Sequence, residues 1–171
     1  MMKSEYEWGD FKDNICFEDK KGRCILIRSY NSQQDRDELV DMYGKFDSDD
    51  RCLGLPPVSE GALKTWLDYI GTKGASILAE HNGEVVGHLS VVPCGNEVAE
   101  VTIFIIKNYQ NAGIGRKMVS TILDYCKTVN CKKIILTTEK CNNRALNLFK
   151  KMGFAITDDR YQYDMNMCLG E

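Results

Sequence analysis

No apolar run in the 171-residue chain approaches the roughly 20 residues that a membrane-spanning helix needs. The opening stretch MMKSEYEWGDFKDN lacks the apolar core of an export signal, so a cytoplasmic location is expected, with no membrane partner. A concentrated basic stripe is missing too. The 22 Lys and Arg are scattered among 25 Asp and Glu, for a net charge of −3, which argues against nucleic acid as a partner. Small anions, which need only a local pocket, stay compatible with that balance. The eight cysteines, at positions 16, 24, 52, 94, 126, 131, 141 and 168, contain no C-x-x-C pair, and only two histidines accompany them. No metal is therefore expected, and the thiols are expected to be reduced, several packed as small hydrophobes. Repeats, low-complexity tracts and linkers are absent as well. Residues 1–171 are expected to form one domain, long enough to bury roughly 70% of the surface that the unfolded chain exposes.

What is present is a chain of alternating periodicities. NICFEDKKGRCILIRSY predicts two short strands around a Lys-Gly turn. QQDRDELVDMYGKF predicts a helix with Leu39, Val40, Tyr43 and Phe46 on one face. Pro56 and Pro57 then break the chain, and Ser59 is placed to cap a helix with Leu63, Trp66, Leu67 and Ile70 on one stripe. ASILAEHNGEVVGHLSVV predicts a hairpin closed by Asn82-Gly83, the preferred pair for a type I′ turn. EVAEVTIFII predicts a central strand. The next helix turns Met118, Val119, Ile122, Leu123 and Cys126 inward, and KKIILTT predicts a buried strand parallel to the central one. Asn142 is placed to cap a last helix with Ala145, Leu148, Phe149 and Met152 inward and Gly153 beyond its end. YQYDMNM alternates Tyr161, Tyr163, Met165 and Met167 as a half-buried strand. The expected class is α/β, a mixed sheet of about six to seven strands flanked by helices, with an N-terminal hairpin.

YQNAGIGRKMV is the junction between the central strand and its following helix. A helix N-terminus carries free N–H groups and a partial positive charge, so it attracts anions. Gly113 and Gly115 allow close backbone approach. Arg116 and Lys117 oppose the helix dipole unless an anion offsets them. A plain glycine-rich connection with solvated cations is the competing reading. Met118 stands where a dinucleotide fingerprint needs its third glycine, and no P-loop pattern exists, so both of those nucleotide motifs are excluded.

Gln110, Gly113 and Gly115 fill the spacing Q-x-x-G-x-G, and Asn142, Ala145, Leu148, Phe149, Lys151, Gly153 and Phe154 fill N-x-x-A-x-x-L-[YF]-x-K-x-G-F. Over nearly its whole length the chain resembles the GNAT family of N-acetyltransferases. AEVTIFIIKNYQNAGIG is similar, within that family, to the Pat-type protein lysine acetyltransferases, with Thr102, Lys107-Asn108 and Asn111 as departures. The resemblance implies acetyl-CoA as acyl donor and a primary amine, a protein lysine or a small molecule, as acceptor. It implies Glu100 as general base. It also implies that backbone N–H groups at Ile103, Phe104 and Ile105 hold the thioester oxygen and pantetheine. Gln110 and the run Asn111, Ala112, Gly113, Ile114, Gly115 and Arg116 take the diphosphate, and Asn142 contacts pantetheine, caps its helix, or does both. Phe149 occupies the place of a Tyr that many members use as general acid. Tyr161 and Tyr163 are the nearby hydroxyls, and no acid is assigned. His88 is expected in the core or at its rim, and His81 beside a turn and exposed to solvent. Asp47, Asp49 and Asp50 either attract a cationic acceptor or form a solvated loop. A domain that binds acetyl-CoA without catalysis remains the alternative outside enzymes.

Overall fold

The computed structural model describes residues 8–9, 11–46 and 59–170. The element order is β1 (Ile15–Glu18), β2 (Cys24–Ser29), α1 (Arg36–Gly44), α2 (Glu60–Lys73), β3 (Ala75–His81), β4 (Glu84–Gly95), β5 (Val98–Ile105), a 3-10 turn (Lys107–Tyr109), α3 (Ile114–Thr128), β6 (Lys133–Thr138), α4 (Asn143–Met152), β7 (Ala155–Asp158) and β8 (Tyr163–Cys168). Eight strands form one sheet in the order β1-β2-β3-β4-β5-β6-β8-β7. All neighbours are antiparallel except β5 and β6.

The sheet has one strand more than expected. β7 is four residues long at the outer edge and mostly exposed, so it carries no apolar alternation by which to recognise it. Tyr161 also departs from expectation: it precedes β8 and is 91% exposed. The Asn82-Gly83 turn is as expected, with φ of 51° and 82°, the left-handed pair that a two-residue hairpin of this twist requires.

Side-chain alternation divides the core between the two faces of the sheet. Ala99 and Val101 of β5 join Ile77, Leu89, Ile134 and Leu136 under α3 and α4. Phe104 points the other way, into a cluster with Leu39, Met42 and Tyr43 of α1 and Leu63 and Leu67 of α2. In α1 the buried residues are Leu39, Met42 and Tyr43, with Val40 half-buried and Phe46 beyond the helix end; the inward stripe is rotated from the expected one. In α4, Leu146 and Phe149 are buried, while Ala145, Leu148 and Met152 are only half-buried. Arg28 ties α1 to the sheet, with Nε 2.8 Å from Glu80 and its two terminal nitrogens 2.8 and 2.9 Å from Asp35. Pro56, Pro57 and the acidic run Asp47, Asp49 and Asp50 lie outside the described residues. No described helix is long and apolar enough to cross a membrane.

Candidate active site

The registered pairing between β5 and β6 consists of Val98–Lys133, Ala99–Ile134 and Glu100–Ile135. Beyond it β5 continues to Ile105 and β6 to Thr138, with no registered pair between them. β5 meanwhile stays in register with β4 as far as Gly87–Ile105. The sheet therefore opens at its centre towards the C-terminal ends of its two parallel strands.

Strand geometry identifies the backbone groups that face this opening. Glu97 O accepts from Lys133 N–H at 3.0 Å on the β6 side, and Ile106 N–H donates to Val86 O at 3.0 Å on the β4 side. Alternation between those limits turns the backbones of Ile103 and Ile105 to the opening and that of Phe104 to β4. Phe104 is thus separated from its two neighbours: its amide is committed to the sheet and its ring to the α1–α2 cluster. Gln110 Nε2 donates to Ile105 O at 2.8 Å, which fastens the glycine turn to the end of β5 and uses that side chain for structure.

The turn itself is built from left-handed positions. Asn111 has φ 58° and Gly113 φ 89°, conformations that asparagine and glycine adopt most readily. Ala112 and Ile114 are buried and anchor the turn, while Asn111 and Arg116 are exposed. Gly113 is the residue before α3 and provides no side-chain cap, so the first-turn N–H groups stay available to an anion. Gly115 serves packing: an added Cβ would lie 3.2 Å from Leu148 Cδ2 and 3.3 Å from Ile105 Cδ1. Among the described residues Arg116 and Lys117 have no carboxylate partner. A diphosphate fits this combination of free amides, missing side chains and uncompensated cations.

Glu100 occupies the last registered pair before the opening and is exposed. Its side chain shares the Phe104 face of β5. Cys94, at the β4 end of the same hairpin, donates its thiol to Val98 O at 3.7 Å; burial and the nearby Glu100 charge raise its pKa. Asn142 caps α4 by accepting from Ala145 N–H at 3.0 Å, which leaves its amide nitrogen outside the cap. Phe149 is 4% exposed against Phe154. His88 is fully enclosed and hydrogen-bonded, as expected of a core histidine; His81 is half-buried rather than exposed, because its ring packs on Tyr109 with Nδ1 2.8 Å from Oη. Two residues were not singled out from sequence. Lys20 of the β1–β2 turn lies against Gly113, a contact that no local pattern encodes. Thr138 ends β6 at the opening with a buried hydroxyl that has no hydrogen-bond partner. No group of ligating side chains that could hold a metal exists among the described residues.

The sequence pattern of the acetyltransferase (GNAT) family matches residues 37–154. This chain belongs to that family. Its GNAT fold is close to that of the GNAT domain of PAT from S. lividans, with a TM-score of 0.78 over 91% of this chain and 96% of that one at 13% identity. The fold of yncA from Salmonella typhimurium, solved with its cofactor acetyl-CoA, gives a TM-score of 0.69 over 86% of this chain and 95% of that one at 19% identity. Among curated relatives, the mycothiol acetyltransferase of Amycolatopsis mediterranei is 29% identical over 151 residues, 81% of this chain and 49% of that protein. The chain spans between about a third and a half of the length of the first curated relatives it matches. Acetyl-CoA is the acyl donor of GNAT acetyltransferases.

Proposed function

We propose that this chain is an acetyl-CoA-dependent N-acetyltransferase that acts on a primary amine, with Glu100 as general base. The observation that carries the proposal is the opening in the sheet, which has an uncapped, cation-flanked helix N-terminus at one end and an exposed carboxylate at the other. The coenzyme supplies an acetyl group activated as a thioester.

The chain's own residues then have three tasks. An amine with the pKa of lysine, about 10.4, is protonated at neutral pH and must lose a proton before it attacks. The Glu100 carboxylate accepts it, directly or through water. N–H groups of Ile103 and Ile105 donate to the oxygen on which charge develops. The first-turn amides of α3, with Arg116 and Lys117, hold the diphosphate. Asn142 presents its amide nitrogen to the pantetheine arm. The departing thiol is far more acidic than an alcohol and leaves as thiolate, so a buried Phe149 without a hydroxyl is compatible with turnover.

Similarity to Pat-type enzymes favours a lysine side chain of a protein as acceptor. Mycothiol acetyltransferase represents the small-molecule class. Incubation with isotopically labelled acetyl-CoA, followed by mass spectrometry of proteins and metabolites, separates the two. Phe149 also favours a second reading, a domain that binds acetyl-CoA without transfer. Tight coenzyme binding with no labelled product across proteins, polyamines and amino acids would support it.

Glu100→Gln is expected to lower kcat by about two orders of magnitude while coenzyme affinity, measured by calorimetry, stays unchanged. Full activity of that variant at neutral pH would overturn the assignment of the base.

A further inference from the structure

The β1–β2 turn reaches the glycine turn across 85 residues of sequence and holds both of its ends. At the near end, Lys20 N–H donates to Ala112 O at 2.9 Å. At the far end, Arg23 Nη1 donates to Asn108 O at 3.1 Å, and its guanidinium lies 4.0 Å from the centre of the Tyr109 ring.

The turn that makes these contacts is itself organised by a buried carboxylate. Asp19 is 4% exposed. Its Oδ1 accepts from the N–H groups of Lys21 and Arg23 at 2.9 and 3.0 Å, and its Oδ2 accepts from Arg23 Nε at 2.7 Å. Burial pushes the Asp19 carboxyl up, but these donors outweigh it and hold the group below its ordinary pKa. Asp19 stays ionised, and Arg23 stays locked in one orientation.

Lys20 is the unused member of this unit. Its side chain runs past Gly113, where an added Cβ would lie 3.8 Å from both Cγ and Cε. Its ammonium is exposed and has no carboxylate partner among the described residues. It lies beside the N-terminus of α3, which already carries Arg116 and Lys117 in its first turn. Three cations at the positive end of a helix repel one another and the helix dipole unless an anion offsets them.

We propose that the β1–β2 turn is a second wall of the phosphate site, with Lys20 contacting the coenzyme diphosphate and Asp19 and Arg23 acting as positioning residues. The inference rests on the coenzyme reading above and adds a contact from outside the strand–helix junction. Removing the charge while keeping most of the stem, Lys20→Met, is expected to weaken binding of coenzyme A by about tenfold, ~1.4 kcal/mol. Dephospho-coenzyme A, which retains the diphosphate, is expected to lose the same factor, and Lys20→Arg to retain most of the affinity. Arg23→Lys keeps the charge but loses the forked geometry and the ring contact; it is expected to raise KM for acetyl-CoA and leave kcat unchanged.

Calorimetry and steady-state kinetics in varied acetyl-CoA on the unaltered chain and these variants, with a thermal melt of each, decide the matter. Equal affinity of Lys20→Met and the unaltered chain overturns the contact. A loss seen with coenzyme A but not its dephospho form overturns the assignment to the diphosphate. A lower melting temperature of Arg23→Lys with unchanged KM reduces Arg23 to a structural role and overturns its positioning one. Absence of binding by the unaltered chain overturns the coenzyme reading and the inference with it.

Discussion

His88 is 1% exposed on β4, with Nδ1 2.6 Å from Tyr43 Oη and Nε2 3.1 Å from Ser76 Oγ. Burial raises the Tyr43 phenol well above its ordinary range and lowers His88 to about 3. Tyr43 therefore donates to Nδ1, and the neutral ring donates from Nε2 to Ser76. In the unfolded chain His88 titrates near its ordinary value of 6.5. As pH falls through that value the unfolded state binds a proton that the folded state refuses, so stability declines between about pH 6.5 and pH 3, by up to ~1.4 kcal/mol per pH unit. Asp19 and Asp35, held low, add losses of the same sign only below the ordinary carboxylate range. Chemical denaturation between pH 7 and 5 is expected to show this slope, and His88→Gln to flatten it; identical slopes would mean that His88 is not the titrating group. The sequence alone placed this histidine correctly because it sits in a strongly apolar run. It could not resolve Gln110 or Phe104: the side-chain bond of one and the backbone direction of the other depend on the register of β4 and β5, which no local spacing encodes.

Helices and strands were legible where burial is one-sided. Ser59 accepts from Ala62 N–H at 3.2 Å and Gly153 has φ 101° after α4, both as their sequence signals imply. β7 was invisible because it is short and exposed, and the α4 stripe shifted because α4 meets both α3 and the sheet. Two junctions give measurable consequences. Gly74 separates α2 from β3, and a Cβ there would lie 1.9 Å from Val91 O, a backbone atom that cannot turn away. Gly74→Ala is expected to destabilise the fold by about 3 kcal/mol or more, read from the denaturation midpoint; a neutral result would mean that α2 can shift freely against β4. Asn142→Ala removes the α4 cap and is expected to cost ~1 kcal/mol. If Asn142 also serves the pantetheine, coenzyme affinity will fall beyond what the same loss of stability produces at Ser59→Ala, a cap on α2.

The whole sheet consists of two leaves, β1 to β5 and β6-β8-β7, joined by three registered parallel pairs. A ligand lodged in the opening touches both, so coenzyme A is expected to slow amide hydrogen exchange at Ile103, Ile105 and along β6 and β8, together with the stabilisation that any native-state ligand confers. Exchange unchanged in β6 and β8 would mean that the leaves are already rigid with respect to each other. The parallel crossover was legible in residue periodicity, and the free amides of the opening only through the family resemblance; at the opening the side chains of Ile105 and Ile103 lie 3.3 and 3.9 Å from where a Cβ on Gly115 would sit. Distribution of sulfur over this surface has a practical side. Cys16, Cys24, Cys94, Cys141 and Cys168 all face solvent, so a chromogenic reagent that captures released coenzyme would also label the catalyst. An adduct on Cys94 is expected to crowd Glu100, the proposed base, and so to lower the recorded rate; turnover should therefore be followed by chromatographic separation of quenched samples.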